Sequence, residues 1–175
     1  MSQAAAKTTT TQTATCKIAT CLWFADQAEA AADFYVSTFR ACGQPAERGG
    51  MMYYGENAPM PKGSVLTVTF TLAGQEIIAL NGGPIFTFSP AISLFVKCAD
   101  QAEVDLFWEK LAEGGATNQC GWLTDRFGLS WQIVPVELGD MLRDPDRAKA
   151  DRVMQALLKM TKLDLATLKK AYAGA

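Results

Sequence analysis

CGWLTDRFGLSWQIVP, residues Cys120 to Pro135, sets a short polar turn between two apolar runs and holds two of the chain's four tryptophans. The pattern predicts a β-hairpin. Asp125 and Gly128 bracket the turn, where aspartate bonds its own backbone and glycine takes the positive φ that other residues adopt only at a cost. Leu129 to Val134 then carries the aromatic and β-branched residues of a buried strand, and Pro135, which lacks an N–H, ends the ladder. Gln132 is the polar exception in that strand. An amide there either faces a cavity or finds a buried partner, because an unpaired one costs about 1–3 kcal/mol.

Working outward, a second hairpin is legible in Ser64 to Leu72, where Val65, Thr67, Thr69 and Thr71 alternate with Leu66, Val68, Phe70 and Leu72. Ala73-Gly74 turns it into Gln75 to Leu80. Upstream, Lys17 to Phe24 predicts a strand, and Ala28, Ala31, Ala32, Tyr35 and Phe39 recur at helical spacing. Asp26 and Glu29 suit a capping box at the start of that helix. The pentapeptide Ala25-Asp26-Gln27-Ala28-Glu29 returns 74 residues later as Ala99-Asp100-Gln101-Ala102-Glu103, again between an apolar strand (Ile92 to Cys98) and a helix. The chain therefore predicts an α+β fold of two βαβββ modules, residues 16–81 and 82–137, with a helical segment at 138–175. Asn81-Gly82-Gly83-Pro84 is the turn cluster between modules. In the first module a strand is expected between Gln44 and Tyr54, beside a loop, Gly49 to Gly63, rich in Met, Tyr, Gly and Pro. That loop is expected to be mobile when empty and to close over a ligand. In the last segment Asp144-Pro145 is expected to open a helix with an apolar stripe (Val153, Met154, Leu157, Leu158, Met160), and Asp164 to cap a final one.

Composition narrows the function classes. Sixteen Lys and Arg against 18 Asp and Glu give a net charge of −2, which is no signature of a nucleic-acid partner. The five cysteines (Cys16, Cys21, Cys42, Cys98, Cys120) lack C-x-x-C spacing, which argues against a disulfide framework and a structural zinc site and favours a reducing cytoplasm. Histidine is absent, so the commonest metal ligand and neutral-pH base are missing. No apolar run reaches the roughly 18 residues of a membrane span. Met1 to Thr15, built of Ala, Thr, Ser and Gln with one Lys, predicts a disordered tail.

The run Asn81-Gly82-Gly83-Pro84, Ala91-Ile92-Ser93, Asp100-Gln101-x-Glu103-x-Asp105-x-x-Trp108, Gly114-Gly115 and CGWLTDRFGLSWQIVP resembles the PhnB-like branch of the glyoxalase/bleomycin resistance/dioxygenase superfamily, the vicinal oxygen chelate proteins. That branch commonly carries the label 3-demethylubiquinone-9 3-methyltransferase. The resemblance implies paired βαβββ modules around a cleft, and a homodimer with or without exchange of modules between subunits. In metal-dependent relatives the cleft holds a divalent ion. The ligand positions map here onto Ala19, Ser93, Ile78 and Gln132, of which only Gln132 readily coordinates a metal. Neither metal nor cofactor is therefore expected.

Strand alternation places Cys21 and Trp23 on one cleft face and Ser93 and Phe95 on the other. Trp23 and Phe95 suit either core packing or stacking on a ligand. Gln132 suits either a satisfied core amide or a ligand hydrogen bond, and Glu76 either a general base or a solvated rim carboxylate. Three functions remain open. One is a metal-independent enzyme or binder acting on a small, aromatic metabolite in the cleft between modules, and another a sequestering protein of the resistance type. The third is a ubiquinone-pathway methyltransferase, which lacks support from any glycine-rich strand-to-helix turn.

Overall fold

The computed structural model describes residues 17–174, so the tail expected at 1–15 lies outside the described residues. The first module runs β1 (Thr20–Phe24), α1 (Ala28–Ala41), β2 (Ala46–Tyr53), β3 (Val65–Leu72) and β4 (Gln75–Asn81). The second runs β5 (Ser93–Cys98), α2 (Gln101–Ala112), β6 (Ala116–Thr117), β7 (Trp122–Thr124) and β8 (Ser130–Pro135). Three helices follow: α3 (Val136–Leu142), α4 (Arg147–Leu157) and α5 (Leu165–Ala173). Each module forms a four-stranded sheet, ordered β1-β4-β3-β2 and β5-β8-β7-β6. In both, the first strand lies parallel to the last, β1 on β4 and β5 on β8, with the remaining ladders antiparallel. The α+β architecture of two βαβββ modules with C-terminal helices is thus as the sequence predicts.

Alternation sorts each strand into an inner and an outer face. Leu22, Phe24, Val68, Phe70, Ile77 and Ala79 bury their side chains under α1, which contributes Ala28, Ala31, Ala32, Tyr35 and Phe39. Val96, Leu123, Trp131 and Ile133 do the same beneath Val104, Phe107 and Leu111 of α2. The two half-cores merge into one cluster, because the helices meet. Phe39 packs edge-on against Phe107 at 5.0 Å between ring centres, and Tyr35 lies 5.4 Å from Trp131. Such aromatic pairs add about 0.5–1.5 kcal/mol each beyond their burial. The helices lie between the modules and the outer sheet faces turn away from the shared core. A smaller second cluster, Val134, Leu138, Met141, Val153, Leu163, Leu165 and Leu168, holds the C-terminal helices against β8. Among the described residues no helix is long and apolar enough to cross a membrane.

Several local expectations hold. Ala73 and Gly74 both take positive φ (47° and 83°), giving the two-residue turn whose twist suits a hairpin. Asp164 caps α5 through the Thr167 N–H at 2.6 Å. Others need correction. Asp26 does not cap α1: Gln27 occupies the cap position with no side-chain bond, and Asn81 Oδ1 accepts from the Ala28 N–H at 2.8 Å. The predicted loop is shorter than Gly49 to Gly63, since β2 continues to Tyr53 through a register shift between Arg48 and Met51. Its neck is closed by Tyr54 N–H to Ser64 C=O (2.9 Å) and Gly63 N–H to Tyr54 C=O (2.8 Å). The helix expected at Asp144 starts at Arg147 with Asp146 as its cap, and α3 precedes it without a sequence signal. Met154 and Leu158 of its stripe remain exposed.

Candidate functional site

The outer face of the second sheet carries an unusual row. Phe95 on β5 stands opposite Gln132 on β8, and Gln132 stands opposite Trp122 on β7. Neighbouring strands lie about 4.8 Å apart, so the three side chains line up as aromatic, amide, aromatic. Gln132 Nε2 donates to Ser93 Oγ at 2.8 Å, which fixes the orientation of the amide. Phe95 is 51% exposed. The row floors a cavity of about 600 Å³ whose opposite wall is Leu138, Gly139, Leu142 and Arg143 of the α3 segment, with Leu157 of α4. Apolar walls around a few fixed polar groups are the usual make-up of a small-molecule site.

The equivalent row of the first sheet is Cys21, Ile78 and Thr69, with no aromatic and no amide. Its other candidates are spent or dispersed. Trp23 donates its indole N–H to the Gly83 carbonyl at 2.9 Å and meets Phe86 edge-on at 5.0 Å. Gly82 lies so close beneath the indole that a Cβ there would sit 2.2 Å from it, so Trp23 seats the linker between modules. Glu76 borders a separate hollow of about 200 Å³ with Glu47, Arg48, Thr69 and Thr71. The structure therefore brings Ser93, Phe95 and Gln132 together and leaves Cys21, Trp23 and Glu76 on the other sheet. Trp122 escaped the sequence reading, although counting back from the turn at Asp125 pairs it with Gln132.

Beneath this face, Asp125 is the most heavily used side chain. Its buried carboxylate, 3% exposed, accepts from the Phe127 and Leu129 N–H groups through Oδ1 and from Tyr35 Oη and Trp131 Nε1, both at 2.8 Å, through Oδ2. Burial, reinforced by this carboxylate, pushes the Tyr35 phenol well above its ordinary range. Arg126 pairs with Glu113 at 3.3 Å and covers the Phe34 ring. Burial pushes the thiols of Cys42 up to about 11 and Cys98 up to about 12, so both are small core side chains rather than nucleophiles at neutral pH.

A divalent ion does not fit the donors present. The four mapped positions supply one amide, already bonded to a hydroxyl, and two apolar side chains. Among the described residues no group of three or more Cys, Asp or Glu side chains is placed to hold a metal. Catalytic zinc needs three protein ligands.

A family model described as 3-demethylubiquinone-9 3-methyltransferase matches residues 16–134. The chain belongs to this family. Its members fall within the vicinal oxygen chelate superfamily. The PhnB protein from Bacillus cereus, which carries the 3-demethylubiquinone-9 3-methyltransferase name, is 38% identical over 69% of this chain and 99% of that chain, with a TM-score of 0.61. Protein PA1353 from Pseudomonas aeruginosa shares the fold at 21% identity, over 69% of this chain and 98% of that chain, with a TM-score of 0.55. No curated protein matches. The family match takes in both sheets and the helices α1 and α2, while α3 to α5 lie beyond it.

Proposed function

We propose that the protein binds a small metabolite with an aromatic body on the outer face of the second sheet, without a metal. The observation that carries this reading is the Phe95–Gln132–Trp122 row at the floor of the cavity, with the amide held by Ser93 at 2.8 Å. Two aromatic side chains offer flat apolar contact, and the amide offers the one oriented hydrogen bond that sets register. This chemistry serves a binder or sequestering protein directly; the one carboxylate lining the cavity, Asp140, is engaged by Arg143 at 2.6 Å. The strand-to-helix junctions Ala25-Asp26-Gln27 and Ala99-Asp100 contain no glycine. That favours metabolite binding over methyl transfer, which calls for a cradle for a nucleotide-like donor.

The same reading includes a homodimer. Met52 and Tyr53 of the first module and Ile85, Phe86, Ile92 and Phe95 of the second are more than half exposed, and a second copy would cover apolar surface of this kind. A thermal-shift screen of aromatic metabolites, with S-adenosylmethionine in the panel, tests the proposal. Hits should lose about 1–2 kcal/mol of affinity by calorimetry in Gln132→Ala, the value of one neutral hydrogen bond. Hits indifferent to both Gln132→Ala and Phe95→Ala would refute the site.

A further inference from the structure

The helical segment α3–α5 lies beyond the family match, yet α3 supplies much of the wall facing Gln132. It is firmly attached. The Cys120 and Gly121 N–H groups donate to Met160 and Thr161 carbonyls, both at 2.8 Å. From α2, the Gln101 amide bonds the Leu163 carbonyl (3.0 Å) and the Leu165 N–H (2.7 Å). Leu138 and Met141 bury the inner side of α3 against Val134 of β8, which leaves Gly139, Leu142 and Arg143 toward the cavity.

Two features of that wall bear on what fits. Gly139 sits inside a helix, where alanine is more stable, and it has no positive φ to account for it. The nearest atoms that a Cβ there would meet are those of the Arg143 guanidinium, from 3.1 Å, so the glycine makes room for that group to fold back over the helix. Charge is the second feature. The cavity is lined by two cations, Lys97 and Arg143, and one anion, Asp140. Arg143 binds Asp140 at 2.6 Å, which leaves the Lys97 ammonium, on the same face of β5 as Phe95, with no ion pair among the described residues.

Resting on the binding proposed above, we infer that α3 is a specificity wall and that the site selects amphipathic organic anions, with the aromatic body along the Phe95–Trp122 row and a carboxylate or sulfonate at Lys97. Two probes on one scaffold test this by fluorescence titration of the full chain: 8-anilino-1-naphthalenesulfonate and its neutral analogue N-phenyl-1-naphthylamine. The sulfonate should bind one site per chain, at least about tenfold tighter than the analogue, since tenfold corresponds to a single favourable charge contact. Lys97→Gln should remove that advantage and leave the neutral probe unchanged. Gly139→Leu, which fills the cavity from the helix, should weaken both probes at least tenfold; Leu142→Trp serves the same purpose if the first variant does not fold. Equal affinity for the two probes, or no saturable binding, would overturn the inference. Loss of binding in Phe95→Ala with full retention in both helix variants would refute the wall while leaving the sheet-face site standing. Indifference to Phe95→Ala and Gln132→Ala as well would defeat the site itself.

Discussion

The two copies of Ala-Asp-Gln-Ala-Glu have the same side chains and different work. In the second, Asp100 is the cap of α2, its carboxylate accepting from the Glu103 N–H at 2.9 Å, while Glu103 Oε2 takes the Ala99 N–H at 2.5 Å. In the first, α1 begins one residue later relative to the motif, at Ala28, and Asp26 falls outside the cap position. The partner strand makes up the difference. Phe24 pairs with Asn81 at the end of β4, whereas the equivalent Cys98 pairs with Pro135, which has no side-chain amide to lend. Asn81 therefore caps α1 from across the sheet and also donates to the Val65 carbonyl at 3.1 Å. Gln27 is exposed, but Gln101 clasps the C-terminal segment. A capping motif is thus a local statement that one residue of register can transfer to a distant side chain.

The asymmetry extends to the hairpins, and there its disruption should cost most. The first turn is all backbone, at Ala73-Gly74; the second is built on the Asp125 carboxylate, which also reaches Tyr35 of the other module. Asp125→Ala should destabilise the protein by about 3–4 kcal/mol in urea titrations, because four donors lose their acceptor and two of those belong to buried side chains. A loss below about 1 kcal/mol would show that the carboxylate does not join the modules. Next in size come the caps. Asn81→Ala should cost about 1–2 kcal/mol and Asp100→Ala about 1 kcal/mol, whereas Asp26→Ala should stay within about 0.5 kcal/mol. Equal losses for Asp26 and Asp100 would mean that the copies are equivalent after all.

The smallest effect concerns the clasp. Hydrogen bonds from Lys162 and then Gln101 hold the Asp105 carboxyl below its ordinary range. A depressed carboxyl contributes stability above its unfolded pKa and loses it as pH falls through the folded value, so the C-terminal helices should loosen first on acidification below about pH 4. Hydrogen exchange at the Leu165 amide should speed up there, and also at neutral pH in Gln101→Ala but not in Gln27→Ala.

Most of the fold was legible because alternation, the Ala73-Gly74 turn and the helical spacing of α1 are local signals. The site was half legible. Ser93, Phe95 and Gln132 followed from alternation and counting, and the structure gathers them. Asn81 as a cap was hidden because its target lies 53 residues away, and the Tyr35–Asp125 bond because it spans 90. The helix α3 was hidden for another reason: it has seven residues, a glycine among them, and no side-chain cap, so no local rule favours it. Packing of Leu138 and Met141 creates it.

Strand β8 ends at Pro135 and α3 begins at Val136, with no residue between them. The β8 part of the cavity floor, at Gln132, and the α3 wall above it are therefore one continuous stretch of chain bent at a proline, with no slack to let those two drift apart. A guest would enter a slot whose width is already set, and little conformational freedom would be surrendered on entry. Preorganisation of this kind trades breadth of acceptance for economy of binding; the Gly49 to Gly63 loop does not line this cavity, so the expected mark here is fast, nearly rigid association that needs no loop closure.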